Sequence, residues 1–280
     1  MIDLHVERTG RGPALLLLHG WAMHGGVFAP LVRALAPRFE VIAVDLPGHG
    51  GSRDSGLPLA LDALADALVE VLDASPRASH GTGAERDGAD DASSSRALVA
   101  GWSLGGLVAL ALAARHPSRV RGLGLIAASP RFVAAPDWPD GMAPRVFEQF
   151  GDDLARDYRG AIDRFLMLEA QGSAHLRDEL RYLRDAVYAR GEPAPRALHE
   201  GLRLLQDSDL RDVLPRLAMP GLWLAGRRDR LVSPQAMRAA AALAPGARFQ
   251  QYERAGHAPF LTEPEAVAEA LTAFAADCPP

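Results

Sequence analysis

One serine lies between glycines in a pattern that is typical of a catalytic nucleophile. The sequence Gly101-Trp102-Ser103-Leu104-Gly105-Gly106 follows an apolar run and opens a helical pattern. A G-x-S-x-G sequence between a strand and a helix forms a sharp turn that raises the serine hydroxyl above the sheet edge, because the glycines let neighbouring backbone pass close by. A serine hydroxyl is a weak nucleophile on its own and needs a general base. We therefore predict Ser103 as a nucleophile and expect a base elsewhere in the chain.

A histidine and an acid follow the serine in the order expected for this type of turn, in which the acid comes second and the histidine last. His257 lies in a loop before the final helical pattern, and Asp229 directly follows the apolar run Gly221–Ala225. An acid in that place holds the tautomer of the histidine and stabilises its imidazolium form. Taken alone, Asp229 fits a surface ion pair with neighbouring arginines equally well. Asp207 and Asp209 are alternative acids.

Two backbone amides are predicted to bind the oxyanion that forms when a serine attacks a carbonyl group. The N–H of Leu104 lies at the start of the helix after Ser103, where the helix dipole favours negative charge. The second donor is expected in the loop after the strand Ala14–Leu18, where His19-Gly20-Trp21 makes the N–H of Trp21 the natural choice. The Trp21 ring would then also line an acyl pocket, with core packing as the alternative.

The elements that must position these residues alternate between short apolar runs and helical patterns. The apolar runs predict strands at Ala14–Leu18, Val41–Val44, Ala97–Ala100, Val120–Ile126, Gly221–Ala225 and Arg248–Tyr252, with Ile2–Arg8 as a candidate edge strand. The helical patterns cover Val27–Ala36, Leu57–Asp73, Leu104–Arg115, Pro234–Leu243 and Pro264–Ala275. Continuous apolar strands separated by helices are typical of a mostly parallel sheet with helices on both faces, so we expect the α/β class.

The chain is predicted to form one core with a helical insertion. Residues 1–129 and 213–280 form the core, and residues 130–212, which lack strand-like runs, form a helical lid. Such a lid would lie over the carboxyl edge of the sheet, where open α/β sheets bind ligands. Residues 74–96 are rich in Ser, Gly, Ala and Asp, and we expect them to form a disordered surface loop without a function.

Composition excludes several classes of protein. The chain has 280 residues, of which 48% are hydrophobic and 23% charged, as is ordinary for a globular protein. A net charge of −5 argues against a nucleic-acid binder, and the single Cys278 excludes an internal disulfide framework and a cysteine metal site. The longest apolar run near the N-terminus, Ala14–Leu18, is too short to cross a bilayer. We expect a cytoplasmic monomer that binds no membrane and needs no metal or organic cofactor.

Several motifs together resemble the α/β-hydrolase superfamily. They are His19-Gly20-Trp21, Asp45-Leu46-Pro47-Gly48-His49-Gly50 followed by Ser52, the turn around Ser103, and Gly256-His257. Within the superfamily the chain is most similar to the biotin-pathway carboxylesterases that act on pimeloyl-[acyl-carrier protein] methyl ester. That likeness spans nearly the whole chain and includes Ala128-Ser129-Pro130, Asp137-Trp138-Pro139, Arg164-Phe165-Leu166-Met167-Leu168 and His257-Ala258-Pro259-Phe260.

The resemblance implies an α/β-hydrolase fold and a serine carboxylesterase that converts a carrier-bound pimeloyl methyl ester into the free carboxylate and methanol. It also implies substrate contacts at Trp21, Ser103, Leu104, Phe165, Leu166, Met167, Leu168, Glu169 and His257. For the apolar lid residues, plain packing is an equally good explanation. A generalist short-chain esterase and a C–C bond hydrolase of the same fold are alternatives, and a non-catalytic binding protein is a third.

All 30 basic residues of the chain are arginine, which we attribute to a genome rich in G and C. Several of them recur in the lid at helical spacing. Arg177, Arg181 and Arg184 share one helix face, and Arg156, Arg159 and Arg164 lie on the preceding helical stretch. Because an acyl carrier protein is acidic, the residues predicted to dock it are Arg159, Arg164, Arg177 and Arg181. A solvated face balanced by neighbouring acids is the alternative.

Overall fold

The central sheet has seven strands in the order β1-β3-β2-β4-β5-β6-β7 in the computed structural model, which describes residues 3–74 and 96–279. The strands are β1 (Val6–Thr9), β2 (Ala14–Leu18), β3 (Glu40–Val44), β4 (Ala97–Trp102), β5 (Val120–Ile126), β6 (Gly221–Gly226) and β7 (Arg248–Tyr252). Only β1, the predicted edge strand, pairs antiparallel with its neighbour. The predicted fold class is confirmed.

Helices cover both faces of the sheet, so most residues of the central strands are buried. The core helices are α1 (Ala29–Leu35), α2 (Leu61–Asp73), α3 (Leu104–Arg115), α8 (Pro234–Leu243), α9 (Pro259–Thr262) and α10 (Pro264–Asp277). Every residue of β4 and of β6 is buried, which explains their apolar sequences. Within the described ranges, no helix has the length and apolar character that a bilayer span requires.

Two predicted helices begin later than the sequence pattern suggests. The first starts at Ala29, because Gly25–Phe28 form a 3₁₀ turn instead. The second starts at Leu61 instead of Leu57, since Ala60 is still extended and Pro58 disfavours helix in the residue before it. Of the predicted loop, residues 75–95 lie outside the described residues.

Four further helices lie between β5 and β6, and we call residues 144–207 the helical insertion. They are α4 (Pro144–Arg156), α5 (Tyr158–Ala170), α6 (Leu176–Tyr188) and α7 (Pro195–Asp207). Ion pairs join successive helices: Arg164 of α5 contacts Asp153 of α4 at 3.0 Å, and Arg184 of α6 contacts Asp163 at 3.1 Å. The insertion therefore holds itself together partly through charges on its surface.

Hydrogen bonds fasten the insertion to loops at the carboxyl edge of the sheet. The indole N–H of Trp21 donates to the carbonyl of Leu198 in α7 at 2.8 Å. His24 contacts the carbonyl of Ala186 in α6 at 2.7 Å. Because Nδ1 of His24 accepts the amide of Gly26, its Nε2 carries the hydrogen that donates to Ala186. The insertion therefore lies over the edge at which the parallel strands end.

Candidate active site

Ser103 occupies a strained turn between β4 and α3. Its φ is +53° and its ψ is −118°, a conformation that side-chain-bearing residues rarely adopt. The turn fits only because two flanking residues lack side chains. A Cβ atom at Gly101 would lie 2.2 Å from the carbonyl oxygen of Gly105, and one at Gly105 would lie 2.2 Å from that of Leu18. The Ser103 amide donates to the carbonyl of Ile126 at 3.0 Å, which ties the turn to the neighbouring strand.

His257 and Asp229 form a fully buried pair after the ends of β7 and β6. Nδ1 of His257 lies 2.8 Å from Oδ2 of Asp229, and neither side chain is exposed. The other oxygen of Asp229 accepts the amides of Leu231 and Val232 at 2.8 and 3.0 Å. Because Nδ1 is the donor in this pair, Nε2 keeps its lone pair. Among the described residues, Nε2 has no hydrogen-bond partner, so it is free to accept a proton.

Trp102 connects the serine turn to the histidine loop. Its indole N–H donates to the main-chain carbonyl of His257 at 2.8 Å, and the centroids of the two rings are 5.7 Å apart. Phe260 packs edge-on against the same indole at 5.1 Å. Ser103, which directly follows Trp102, and the His257–Asp229 pair thus lie at the same edge of the sheet, and Ser103 itself is only 2% exposed.

The loop after β2 lies against Ser103. A Cβ atom at Gly20 would be 3.3 Å from the Cβ of Ser103, so only a glycine lets the loop approach this closely. In the described part of the chain, neither the amide of Trp21 nor that of Leu104 donates a hydrogen bond to an acceptor. Two unpaired N–H groups beside a nucleophile are the arrangement that stabilises an oxyanion.

His19 stabilises the same loop through two hydrogen bonds of its ring. Its Nε2 accepts the amide of Leu46 at 2.8 Å, so Nδ1 carries the hydrogen and donates to the carbonyl of Gly20 at 2.8 Å. Burial, with a smaller contribution from His49, lowers the pKa of His19 to about 3. The ring is therefore neutral at ordinary pH and fixes the glycine loop, whereas His257 keeps a free nitrogen.

The alternative acids lie elsewhere. Asp209 accepts hydrogen bonds from Arg131 at 2.7 Å and from Arg211 at 2.7 and 2.8 Å. These bonds, those from Arg211 first, hold the pKa of Asp209 far below its ordinary value. Asp207 is exposed at the end of α7. Of the three candidate acids, only Asp229 contacts His257.

An apolar line of rings runs from the loop of Trp21 into the insertion. The rings of Trp21 and Phe165 are 4.6 Å apart, and those of Phe165 and Phe150 are 5.7 Å apart. Next to Phe150, a cavity of about 430 Å³ opens between α4 and α5. Its lining residues are Arg145, Val146, Gln149, Phe150, Asp153, Arg164 and Leu168. Three of these seven side chains are apolar, namely Val146, Phe150 and Leu168, and the other four are polar or charged.

The predicted substrate contacts on α5 fall on different sides of that helix. Phe165, Leu166 and Glu169 are buried and face the core, and Leu168 is half-buried. Met167 is 44% exposed, because the helical repeat places it away from the buried face. The structure thus brings only part of this segment towards the site.

Glu169 was expected at the site only through the family resemblance, because the residue pattern by itself predicts no role for it. Its main-chain carbonyl accepts the amide of His257 at 3.3 Å. Its side chain is completely buried, and neither carboxyl oxygen has a hydrogen-bond partner among the described residues. Burial, together with the charge of Asp229, raises the pKa of Glu169 well above its ordinary value. The only sign of this environment in the sequence is a lone acid within an apolar helical stretch.

Three of the four arginines predicted to dock a carrier take part in ion pairs. Arg159 pairs with Glu192, Arg164 with Asp153, and Arg181 with Asp178. Arg177 is exposed and has no ion pair within the described residues. Across residues 3–74 and 96–279, no group of three or more His, Cys, Asp and Glu side chains could hold a metal ion.

Comparisons with known proteins cover almost the entire chain. Residues 15–270 match the alpha/beta hydrolase family. The pimeloyl-[acyl-carrier protein] methyl ester esterase of Xanthomonas oryzae pv. oryzae is 52% identical over 276 residues, which cover 99% of this chain and 100% of that protein. The protein of the same name from Stenotrophomonas maltophilia is 52% identical over 277 residues, with coverage of 99% and 98%.

Solved structures of low sequence identity share the fold. An esterase from Exiguobacterium antarcticum has a TM-score of 0.82 at 22% identity, covering 98% of this chain and 96% of its own. An enol-lactonase from Burkholderia xenovorans LB400 has a TM-score of 0.79 at 21% identity, covering 98% and 96%. Because their names describe different reactions, these two structures support the architecture alone.

Proposed function

This chain belongs to the alpha/beta hydrolase family, and from that premise we propose that it is a serine carboxylesterase that hydrolyses the methyl ester of pimeloyl-[acyl-carrier protein]. The observation that carries the reaction type is the buried His257–Asp229 pair with a free Nε2, beside a serine held on a strained turn. The observation that carries the substrate is 52% identity to esterases of that name over their full length.

In the first half of the proposed cycle, Nε2 of His257 takes the proton of the Ser103 hydroxyl as its oxygen attacks the ester carbonyl. The amides of Trp21 and Leu104 donate to the oxyanion, and losing one such donor typically costs about 3 to 4 kcal/mol of transition-state stabilisation. The intermediate collapses, the C–O bond to the methoxy group breaks, and the imidazolium protonates the departing methoxide. Methanol leaves, and the acyl group remains bonded to Ser103.

In the second half, His257 removes a proton from a water molecule that attacks the acyl-enzyme carbonyl. The bond to the Ser103 oxygen breaks, and the imidazolium returns its proton to that oxygen. The carrier-bound pimeloyl group is released with a free carboxylate. Asp229 holds the Nδ1–H tautomer of His257 throughout and stabilises the imidazolium in both halves.

We propose that the helical insertion, within residues 130–212, is a lid that accepts the acyl chain. The apolar rings of Trp21, Phe165 and Phe150 and the half-buried Leu168 support this, since a methylene chain gains about 0.8 kcal/mol per buried CH₂ group. Met167 is better explained as a surface residue of α5.

We also propose that an acidic carrier docks on the arginines of α5 and α6, which are Arg159, Arg164, Arg177 and Arg181. Their exposure supports this, as does Arg177, which has no ion pair within the described residues. Asp178, which pairs with Arg181, is itself 70% exposed, so this pair can exchange for a carrier carboxylate at little cost, whereas Asp153, which pairs with Arg164, is only 17% exposed.

The deciding experiment compares kcat/KM on pimeloyl-carrier methyl ester with kcat/KM on a short p-nitrophenyl ester. We expect the carrier substrate to be preferred by about tenfold or more. Comparable or lower efficiency on the carrier substrate contradicts the substrate assignment and leaves a generalist short-chain esterase.

The same assay on Ser103→Ala tests the mechanism. We expect both activities to fall by about a thousandfold or more, with circular dichroism unchanged, because no other group replaces the nucleophile. A fluorophosphonate probe should label the wild-type protein and leave the variant unlabelled. Substantial residual turnover contradicts the role of Ser103, and a wild-type protein that does not label supports the non-catalytic alternative.

A further inference from the structure

The loop that carries the proposed base is bonded to the helical insertion on both sides of His257. We call residues 254–262 the histidine segment. On its first side, the carbonyl of Arg254 accepts the amide of Ala174 at 2.9 Å. In its middle, the amide of His257 donates to the carbonyl of Glu169 at 3.3 Å. The end of α5 and the connection from α5 to α6 therefore hold the main chain of the histidine segment.

This contact is too close to admit a side chain next to the histidine. A Cβ atom at Gly256 would lie 3.1 Å from the carbonyl oxygen of Gln171 and 3.3 Å from the amide nitrogen of Ser173. The connection between α5 and α6 thus packs directly on the residue that precedes His257.

A buried acid of α6 makes the third attachment, at the other end of the histidine segment. Glu179 lies in the first turn of α6 and is only 4% exposed. One of its carboxyl oxygens, Oε1, accepts the hydroxyl of Ser173 at 2.6 Å and also the hydroxyl of Thr262. Thr262 is the last residue of α9, the short helix that follows His257. A single acceptor atom therefore joins α6, the α5–α6 connection and α9.

The position of α9 matters for the base because α9 also packs against the side chain that holds the base. Phe260, inside α9, lies edge-on against Trp102 at 5.1 Å, and the indole N–H of Trp102 donates to the carbonyl of His257. Proton transfer depends on accurate placement, and a displacement of about 1 Å can lower a rate by about a hundredfold. The mechanism above assigns no role to Glu179, although a buried acid is costly to retain in a fold.

We propose that Glu179 is a positioning residue for the base, which holds α9 through Thr262 and so keeps the His257 ring in place between Ser103 and Asp229. The proposal rests on the serine esterase mechanism given above. Glu179 acts through the hydrogen bond that it accepts from Thr262 and does not touch the substrate. The insertion thus contributes to the chemical step as well as to binding.

The test removes this hydrogen bond from each end and measures hydrolysis of a short p-nitrophenyl ester. Thr262→Val keeps the shape of the side chain and loses the hydroxyl, and Glu179→Met keeps a similar length and loses the acceptor. In each variant kcat should fall about tenfold, while KM should stay within about twofold of wild type. If kcat stays within twofold of wild type in both folded variants, the proposal is overturned.

The double variant shows whether the two losses have one cause. Because both substitutions remove the same bond, kcat of the double variant should agree with that of Glu179→Met within about twofold. Losses that multiply contradict the proposal. Glu179→Gln keeps an oxygen that can accept the Thr262 hydroxyl, and it should retain kcat within about threefold of wild type. Should Glu179→Met fail to fold, Thr262→Val alone decides.

Proton NMR separates positioning of the ring from a general loss of stability. The Nδ1–H proton of His257 is buried and bonded to Asp229, so it should give a far-downfield resonance that His257→Gln lacks. This resonance should shift or broaden in Thr262→Val and remain unchanged in Glu179→Gln. A lower kcat with an unchanged resonance in Thr262→Val makes the contact merely structural and overturns the proposal.

Thr272→Val is the matched control for the loss of a threonine hydroxyl. Thr272 is half-buried as Thr262 is, but it donates to the carbonyl of Ala268 within α10 at 2.7 Å. Its replacement should leave both kcat and the resonance unchanged, and an equal loss of kcat there contradicts a specific role of Thr262. An unaffected kcat in Thr262→Val with Ser103-dependent hydrolysis intact refutes only this inference, whereas loss of Ser103 dependence refutes the proposed function.

Discussion

The carboxyl edge of the sheet and the helical insertion tolerate change very differently. At the edge, added atoms collide with main chain: a Cβ atom at Gly105 would lie 2.2 Å from a carbonyl oxygen. In the insertion, a Cβ atom at Gly151 would meet nothing closer than Leu202 at 3.8 Å. Buried main-chain contacts fix the edge, whereas half-exposed ion pairs such as Arg184–Asp163 join the helices of the insertion. We therefore expect the bond-breaking steps at the edge, where the backbone is constrained, and partner binding on the insertion, where side chains can be substituted without collisions.

The largest effect is expected from Asp229→Asn at the constrained edge. The asparagine oxygen can still accept the amides of Leu231 and Val232, but its NH₂ group then faces Nδ1 of His257 and forces the hydrogen onto Nε2. The base can no longer accept the serine proton, so kcat on a p-nitrophenyl ester should fall by about 10³- to 10⁴-fold.

Asp209→Asn is the matched control for that variant, because Asp209 pairs with arginines instead of His257. Its kcat should stay within about twofold of wild type, since exposed pairs contribute little. If kcat falls equally in the two variants, Asp229 has no role that distinguishes it from an acid outside the site, and the prediction is wrong.

A second test compares one added methyl group in each region. Gly105→Ala should lower the free energy of unfolding by about 3 kcal/mol or more, since the new Cβ meets the rigid main chain of Leu18. Gly151→Ala, inside α4, should raise it by up to about 1 kcal/mol, because alanine favours helix and the space is free. Urea unfolding measures both changes, and changes of equal sign would contradict the comparison.

The smallest effect is expected from charge removal on the insertion. The double variant Arg177→Gln with Arg181→Gln should raise KM for a carrier-bound substrate about fivefold at low salt, because steering of an acidic partner weakens. The effect should shrink as salt increases. Hydrolysis of a p-nitrophenyl ester should not change.

Arg216→Gln provides the control for a lost positive charge outside α5 and α6. Arg216 is exposed and pairs with Asp212, and its removal should leave KM for the carrier substrate unchanged. If it raises KM as much as the double variant does, the arginines of α6 act only through the net charge of the protein.

The contrast between the constrained edge and the helical insertion also explains which features of the fold and site could be predicted from the sequence. The turn that carries Ser103 could be located from the sequence because a strained turn requires glycines at fixed places, and Gly101 and Gly105 are visible there. Strand positions followed from continuous apolar runs, and the predicted fold class is confirmed. Helix starts were less accurate, since a 3₁₀ turn and the residues around Pro58 replaced regular helix.

What the sequence could not predict depends on partners that are distant in the chain. The tautomer of His19 follows from an amide 27 residues away in the chain, at Leu46. The unpaired burial of Glu169 follows from loops that come much later in the chain, at Asp229 and His257. Helical spacing alone likewise did not separate Met167, on the surface of α5, from the buried Leu166.

The serine turn has a consequence for how new activities arise on this scaffold. Main-chain contacts fix the shape of the turn, and the turn fits because Gly101 and Gly105 have no side chains. The Ser103 hydroxyl makes none of these contacts. A different nucleophile can therefore be installed by one substitution without rebuilding the loop. The reacting side chain at position 103 can therefore change while the main chain of the turn, and with it the fold, stays the same.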